Sequence, residues 1–196
     1  NRLLIWPDTL CEIHDYLQQH GELPFRYDGD NWSYDALCER QKRRGVRLSQ
    51  YLTPDATARQ IAALAVRYFE NDSRIMDVCC GTGQLTRALI AAGVHPSQIV
   101  GLEVDRELAD FYARLYPVTQ TLIGPYRDID FLSWLAKVQQ PGDRSVLLLP
   151  HGFIDKQRPK GIQETLRQFE VLYRTPMQER FARTNVTAEI VVLERR

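Results

Sequence analysis

The stretch "RIMDVCCGTGQLTRALI", residues 74–90, decides how this chain folds. A short apolar run carries Asp77, a turn follows with Gly81 and Gly83, and a helical pattern begins just after it. Strand, glycine turn and helix in that order make a ligand site at the carboxyl edge of a sheet, because glycine lets backbone approach a ligand closely. Cys79 and Cys80 lack the spacing of a zinc knuckle or a redox dithiol, and side chains of adjacent strand residues point to opposite faces. With Cys11 and Cys38 distant in sequence, the four thiols read as small buried hydrophobes in a reduced compartment, and no metal site is expected.

Working outward, "RIMDVCC", "QIVGLEV", "TQTLIG" and "RSVLLLP" are short apolar runs, and "LTRALIAAG" and "RELADFYARLY" are helical patterns between them. This alternation predicts an α/β fold with a doubly wound, mostly parallel sheet. Near the end, "ERFARTNV" and "AEIVVLERR" leave no room for a helix and predict a C-terminal antiparallel hairpin. Upstream, "TPDATARQIAALAVRYFEN" predicts a helix with Thr53 as N-cap and Pro54 in its first position. "PDTLCEIHDYLQQHG" and "NWSYDALCERQKRRG" predict two more, so residues 1–50 form a helical N-terminal cap on a domain of residues 51–196.

Composition sets mild bounds. Hydrophobic residues at 44% and charged residues at 26% are ordinary for a soluble globular domain. Twenty-five basic and 25 acidic residues cancel, which removes an overall field that would draw in nucleic acid. No apolar run reaches the length of a membrane span, and the expectation is a cytoplasmic protein with no membrane partner. "RQKRRGVR", residues 40–47, is either a solvated helix end or a local phosphate contact beside Trp32 or Tyr34.

The glycine turn lacks the third glycine of a dinucleotide fingerprint. Asp77, four positions before Gly81, would repel a pyrophosphate and welcome an ammonium group. Glu103 ends the second strand run, 20 residues after Gly83, where a carboxylate can accept both hydroxyls of a ribose. A ligand with an ammonium group and a ribose but no phosphate fits S-adenosylmethionine.

Here the chain resembles a family. "DVCCGTG" and "GLEVD" resemble the first and second motifs of class I S-adenosylmethionine-dependent methyltransferases. "SQYLTPDATARQIAAL" and "DIDFL" are similar to segments of adenine-specific DNA methyltransferases of the gamma arrangement, including type I modification subunits. "RTNVTAEIVVLER" resembles their terminal hairpin, and the likeness covers residues 48–196. The resemblance implies the class I methyltransferase fold and S-adenosyl-L-methionine as cofactor. It implies that Tyr51 and Thr53 line the methionine end, and that Asp77 binds the ammonium group. Cys79, Gly81 and Gly83 would shape the wall, Glu103 would hold the ribose, and Asp130 and Phe131 would grip the adenine.

The resemblance breaks at the catalytic motif. That motif is an Asn or Asp followed by Pro-Pro and an aromatic, and it fixes the target amino group while the aromatic stacks on a flipped base. This chain contains no Pro-Pro; "LLLPHGFI" puts Leu149 where a polar group is required, beside Pro150, His151 and Phe153. A second alignment makes "VQQPGDRSVLLLPHGF" the family's fifth strand and "GIQETLRQFEVLY" the helix after it. It leaves the fourth strand and catalytic loop missing near Trp134 and Leu135, by omission or divergence rather than true deletion. The catalytic residues are therefore unassigned, and His151 reads as a surface residue. The expected function is an adenine-specific DNA methyltransferase that meets DNA through a recognition partner or a further domain. The alternatives are a non-catalytic cofactor-binding subunit or regulator, and a methyltransferase acting on a protein or small molecule.

Overall fold

The computed structural model describes residues 53–103, 109, 112, 113, 116, 131–156, 160–179, 181 and 187–196, and the backbone of 120–123. The helices expected within residues 1–50, Tyr51 and Asp130 lie outside the described residues. Helix α1 (Asp55–Tyr68) leads into β1 (Ile75–Val78), α2 (Gln84–Ala91), a 3-10 turn at Pro96–Gln98 and β2 (Ile99–Glu103). Next come β3 (Gln120–Ile123), α3 (Phe131–Val138), β4 (Arg144–Pro150), α4 (Lys160–Leu166), β5 (Phe169–Pro176) and β6 (Ala188–Arg195). Ala109, Tyr112 and Ala113 are helical between β2 and β3.

The first half follows the alternation in the sequence. β1, β2 and β3 form a parallel sheet in that order, with Asp77 opposite Gly101 and Glu103 opposite Ile123. β2 is buried along almost its whole length, as a central parallel strand covered on both faces should be.

The second half corrects the expected hairpin. "FEVLYRTP", whose first five residues are taken above as part of a helix, is β5, while Glu179 and Phe181, the described residues of the expected strand "ERFARTNV", are not in strands. β6 lies between β4 and β5 and pairs antiparallel with each. The physical reason is pairing: Val171 lies opposite Leu193 and Thr175 opposite Ile190, on a strand whose first six residues are buried. That contact outweighs a local pattern compatible with either period. Strands β4 and β6 alternate cleanly between two cores. Val146, Leu148, Ile190 and Val192 pack against Ile61 and Leu64 of α1, while Leu147, Leu149, Val191 and Leu193 pack against Leu132 and Leu135 of α3. Helix α1 thus packs on one face of this sheet and α3 on the other.

Helix α1 serves both sheets. Ala58, Ala62 and Ala65 pack with Ala88 and Leu89 of α2 and Ile99 of β2, while Ile61 and Leu64 turn to the second sheet. Its start differs from the expectation: the helix begins at Asp55, with Pro54 extended at the cap position and no side-chain cap. Glu179 does that work from across the chain. Its carboxylate accepts from Ala56 N at 3.3 Å, and its carbonyl accepts from Thr57 Oγ1 at 3.0 Å.

The described strands do not make one mostly parallel sheet. They make two three-stranded sheets, one parallel and one antiparallel, and no ladder joins β1 to β4. β1 and β4 therefore each have one edge without a ladder partner among the described residues. Burial follows: Met76 of β1 is 47% exposed and Val146–Leu149 of β4 are only partly buried, whereas Ile190–Leu193 of β6 are buried. Beside this, α3 runs unbroken through Trp134 and Leu135, the position proposed above for the missing segment. A tight turn then feeds β4: Gln140 O accepts from Asp143 N at 3.0 Å across Pro141 and Gly142. Gly142, at φ 92, supplies the positive φ that the third position of a type II turn requires.

If Glu179 caps α1, Glu179→Ala should lower unfolding free energy by about 1 kcal/mol, the usual cost of a lost cap. Glu179→Gln should retain most of it, because an amide oxygen also accepts. Urea midpoints of the two variants check this; an unchanged midpoint in the Ala variant excludes the cap.

Candidate ligand site at the carboxyl ends of β1 and β2

Asp77 and Glu103 are both buried, 4% and 3% exposed, at the carboxyl ends of neighbouring strands. The chain between β1 and α2 is held on β2: the N–H groups of Cys79 and Cys80 both donate to Leu102 O, at 2.8 and 3.2 Å. Glu103 Oε2 accepts from Gly81 N at 2.9 Å, which closes the turn over the strand ends. Gly83 sits at φ 88 as the residue before α2 and donates to Cys80 O at 2.8 Å. A Cβ at Gly83 would stand 2.4 Å from Tyr116 Cε2, so both backbone and space demand glycine. Cys79 is exposed and also lies at positive φ, 62°, whereas Cys80 is buried; both are free thiols. Burial, helped by the nearby Asp77 charge, pushes the Cys80 thiol well above its ordinary range, as suits a packing residue.

The carboxylate of Asp77 is only half satisfied. Thr86 Oγ1 donates to Oδ2 at 2.7 Å, while Oδ1 is buried and has no partner. Burial raises its pKa from the ordinary 3.8 to about 6, more than the Thr86 hydrogen bonds lower it, and the Glu103 charge adds to the rise. A buried anion with one free oxygen and no cationic partner among the described residues is a costly feature that a ligand cation would relieve.

The structure thus brings Asp77, Cys79, Gly81, Gly83 and Glu103 together at the ends of β1 and β2. Thr53 is half-buried just before α1, where the bidentate pair Asp55–Arg87, at 2.9 Å, ties that helix to α2. Phe131 is half-buried at the start of α3, its ring tilted against Trp134 at 5.7 Å between centroids, and packs on the core of α3, β4 and β6. Sequence reasoning missed Thr86, Gly101, Tyr112 and Tyr116. Tyr112 and Tyr116, four apart in "FYARLY", could have been read as one helix face.

The loop after β4 is firmly held. His151 N donates to Thr187 O at 2.9 Å and Gly152 N to Glu189 Oε1 at 3.0 Å. Arg174 grips both Glu189 and Asp155, and its hydrogen bonds hold the Asp155 carboxyl below its ordinary pKa. The His151 side chain is exposed.

No family model matches the chain, and no curated protein matches it. Solved structures do, by fold. A candidate class I S-adenosylmethionine-dependent methyltransferase of Listeria monocytogenes superposes with TM-score 0.59 at 16% identity, over 84% of this chain and 66% of that one. A candidate RNA methyltransferase of Pyrococcus horikoshii gives 0.55 at 17% identity, over 76% and 87%. An S-adenosylmethionine-dependent methyltransferase of Anabaena variabilis gives 0.54 at 14% identity, over 89% and 100%. The chain has the fold of class I S-adenosylmethionine-dependent methyltransferases.

Replacing Asp77 by Asn should stabilise the ligand-free protein. Between about 4 and about 6 the folded carboxyl holds a proton that the unfolded one has released, so its contribution to stability falls as pH rises through that window. The advantage of Asp77→Asn should be small at pH 4 and level off above pH 7 at up to about 3 kcal/mol. Denaturant titrations at several pH values measure it, and a destabilised variant at pH 7.5 would contradict the unpaired-anion account.

Proposed function

We propose that this chain is an S-adenosylmethionine-binding methyltransferase domain, of the adenine-specific DNA kind. The observation that carries the reading is the buried, unpaired Oδ1 of Asp77, placed beside a glycine turn and one strand away from the buried Glu103. The residues fit that cofactor. Asp77 would take its ammonium group, the turn Cys79–Gly83 would wall it, and Glu103 would take its ribose hydroxyls. When bound, the cofactor supplies an electrophilic methyl group on a sulfonium. A phosphate-bearing ligand fits poorly, since two buried carboxylates would face it.

The DNA part of the reading rests on the likeness of "SQYLTPDATARQIAAL" and "DIDFL" to adenine methyltransferases, with DNA met through a recognition partner or a further domain. The fold likeness to a candidate RNA methyltransferase makes RNA the natural comparison substrate. One observation favours the second reading, a non-catalytic cofactor-binding subunit. On the alignment that sets "LLLPHGFI" on the catalytic motif, the end of β4 offers Leu149 and Pro150 in place of the amide or carboxylate that fixes the target nitrogen.

Calorimetric titration with S-adenosylmethionine, its demethylated product and NAD tests the binding half. The methyl cofactor and its product should bind, NAD should bind more weakly, and Glu103→Ala should cost about 1.5–3 kcal/mol by removing a charged acceptor. Absent binding, or preference for NAD, would overturn the reading.

Labelled methyl transfer to DNA tests the activity half. These 196 residues alone should bind cofactor and transfer no methyl group to adenine. Robust incorporation would instead place the acceptor within residues 149–153.

A further inference from the structure

Two aromatic residues stand behind the glycine turn. Thr86 Oγ1 lies 2.6 Å from Tyr112 Oη as well as 2.7 Å from Asp77 Oδ2. A threonine hydroxyl has one proton, and with Asp77 ionised that proton goes to the carboxylate. Tyr112 must therefore donate to Thr86, so the chain runs from Tyr112 through Thr86 to Asp77. All three are buried; Thr86 and Tyr112 are 0% exposed. The turn is arranged around this chain. A Cβ at Gly101 would stand 2.5 Å from Tyr112 Cε1, so β2 carries glycine where the ring must pass. The Tyr112 ring packs on Tyr116 at 5.1 Å between centroids, and Tyr116 in turn lies against Gly83, its hydroxyl donating to Gly83 O at 3.3 Å.

We infer that Tyr112 and Thr86 are positioning residues of the ligand site: their hydrogen-bonded chain locks Asp77 through Oδ2 and leaves Oδ1 as the oxygen available to a ligand ammonium group. This rests on the cofactor reading above and deepens it. The chain has a second effect, because a donor committed to Oδ2 favours the ionised carboxylate against burial. Among the described residues, the titratable groups around Asp77 are Glu103 of β2, the Cys79 and Cys80 thiols of the turn, and Tyr112; none of these supplies a positive charge. The Thr86 hydrogen bonds are what oppose burial and favour the charged Asp77, and Tyr112 holds Thr86 in place to make them.

The test reads the Asp77 carboxyl directly, by carbon NMR titration of the ligand-free chain, and then titrates S-adenosylhomocysteine across the same pH range. The wild-type midpoint should lie near 6. Thr86→Val should raise it by about one unit, with affinity at pH 6.5 falling about threefold and recovering toward pH 8. Tyr112→Phe, which keeps the ring and its packing, should raise the midpoint by less, and Thr86→Ser should restore it. A midpoint unmoved in both Thr86→Val and folded Tyr112→Phe would overturn the inference. So would an affinity loss of the same size at every pH, which marks a merely structural role. A midpoint that moves as expected, in a wild-type chain that binds no S-adenosylhomocysteine, overturns the ligand reading and the inference with it.

Discussion

A carboxylate buried with one oxygen unpaired is the constraint around which the first half of this protein is arranged. Burial of Asp77 with no cationic partner among the described residues costs free energy that the apolar core must offset. Each neighbour limits that cost in part. Thr86 gives one hydrogen bond, Tyr112 fixes Thr86, and Gly101 leaves room for Tyr112. Glu103 makes the field more negative while it ties down the turn through Gly81. The remaining oxygen is kept unsatisfied, which makes sense where a cationic ligand completes the set.

The second constraint is helix α1, which has to serve two sheets. Its alanines allow close approach to α2 and β2, and its Ile61 and Leu64 reach the antiparallel sheet. Small residues on one stripe and large ones on the other set how near each layer comes. The edges of β1 and β4 carry no ladder partner among the described residues, and the half-exposed Met76 and Val146–Leu149 follow from that.

Much of this was legible along the chain. The strand-turn-helix at residues 74–90 carries its own signals, since positive φ at Gly81 and Gly83 and the helical spacing after them are local properties. Glu103 was legible because the end of an apolar run fixes which residue reaches the sheet edge. The hairpin was not. In "GIQETLRQFEVLY" the apolar residues Ile162, Leu166, Phe169 and Leu172 suit a helix, while Phe169, Val171 and Tyr173 suit a strand, and only pairing with β6 decides. Thr53 offered a cap that the structure draws instead from Glu179, 123 positions away from Ala56. The Thr86–Tyr112 contact was equally out of reach, because it depends on how the residues after β2 pack behind β1.

The claim at the centre of this account is that a ligand ammonium group completes Asp77. Backbone amide NMR of the labelled chain, titrated with S-adenosylhomocysteine, tests it most directly. Shifts concentrated at Asp77–Gln84 and Glu103, and lost in Asp77→Asn, are the predicted result. Shifts centred instead on the loop 151–156, or a pattern that survives intact in Asp77→Asn, would contradict it.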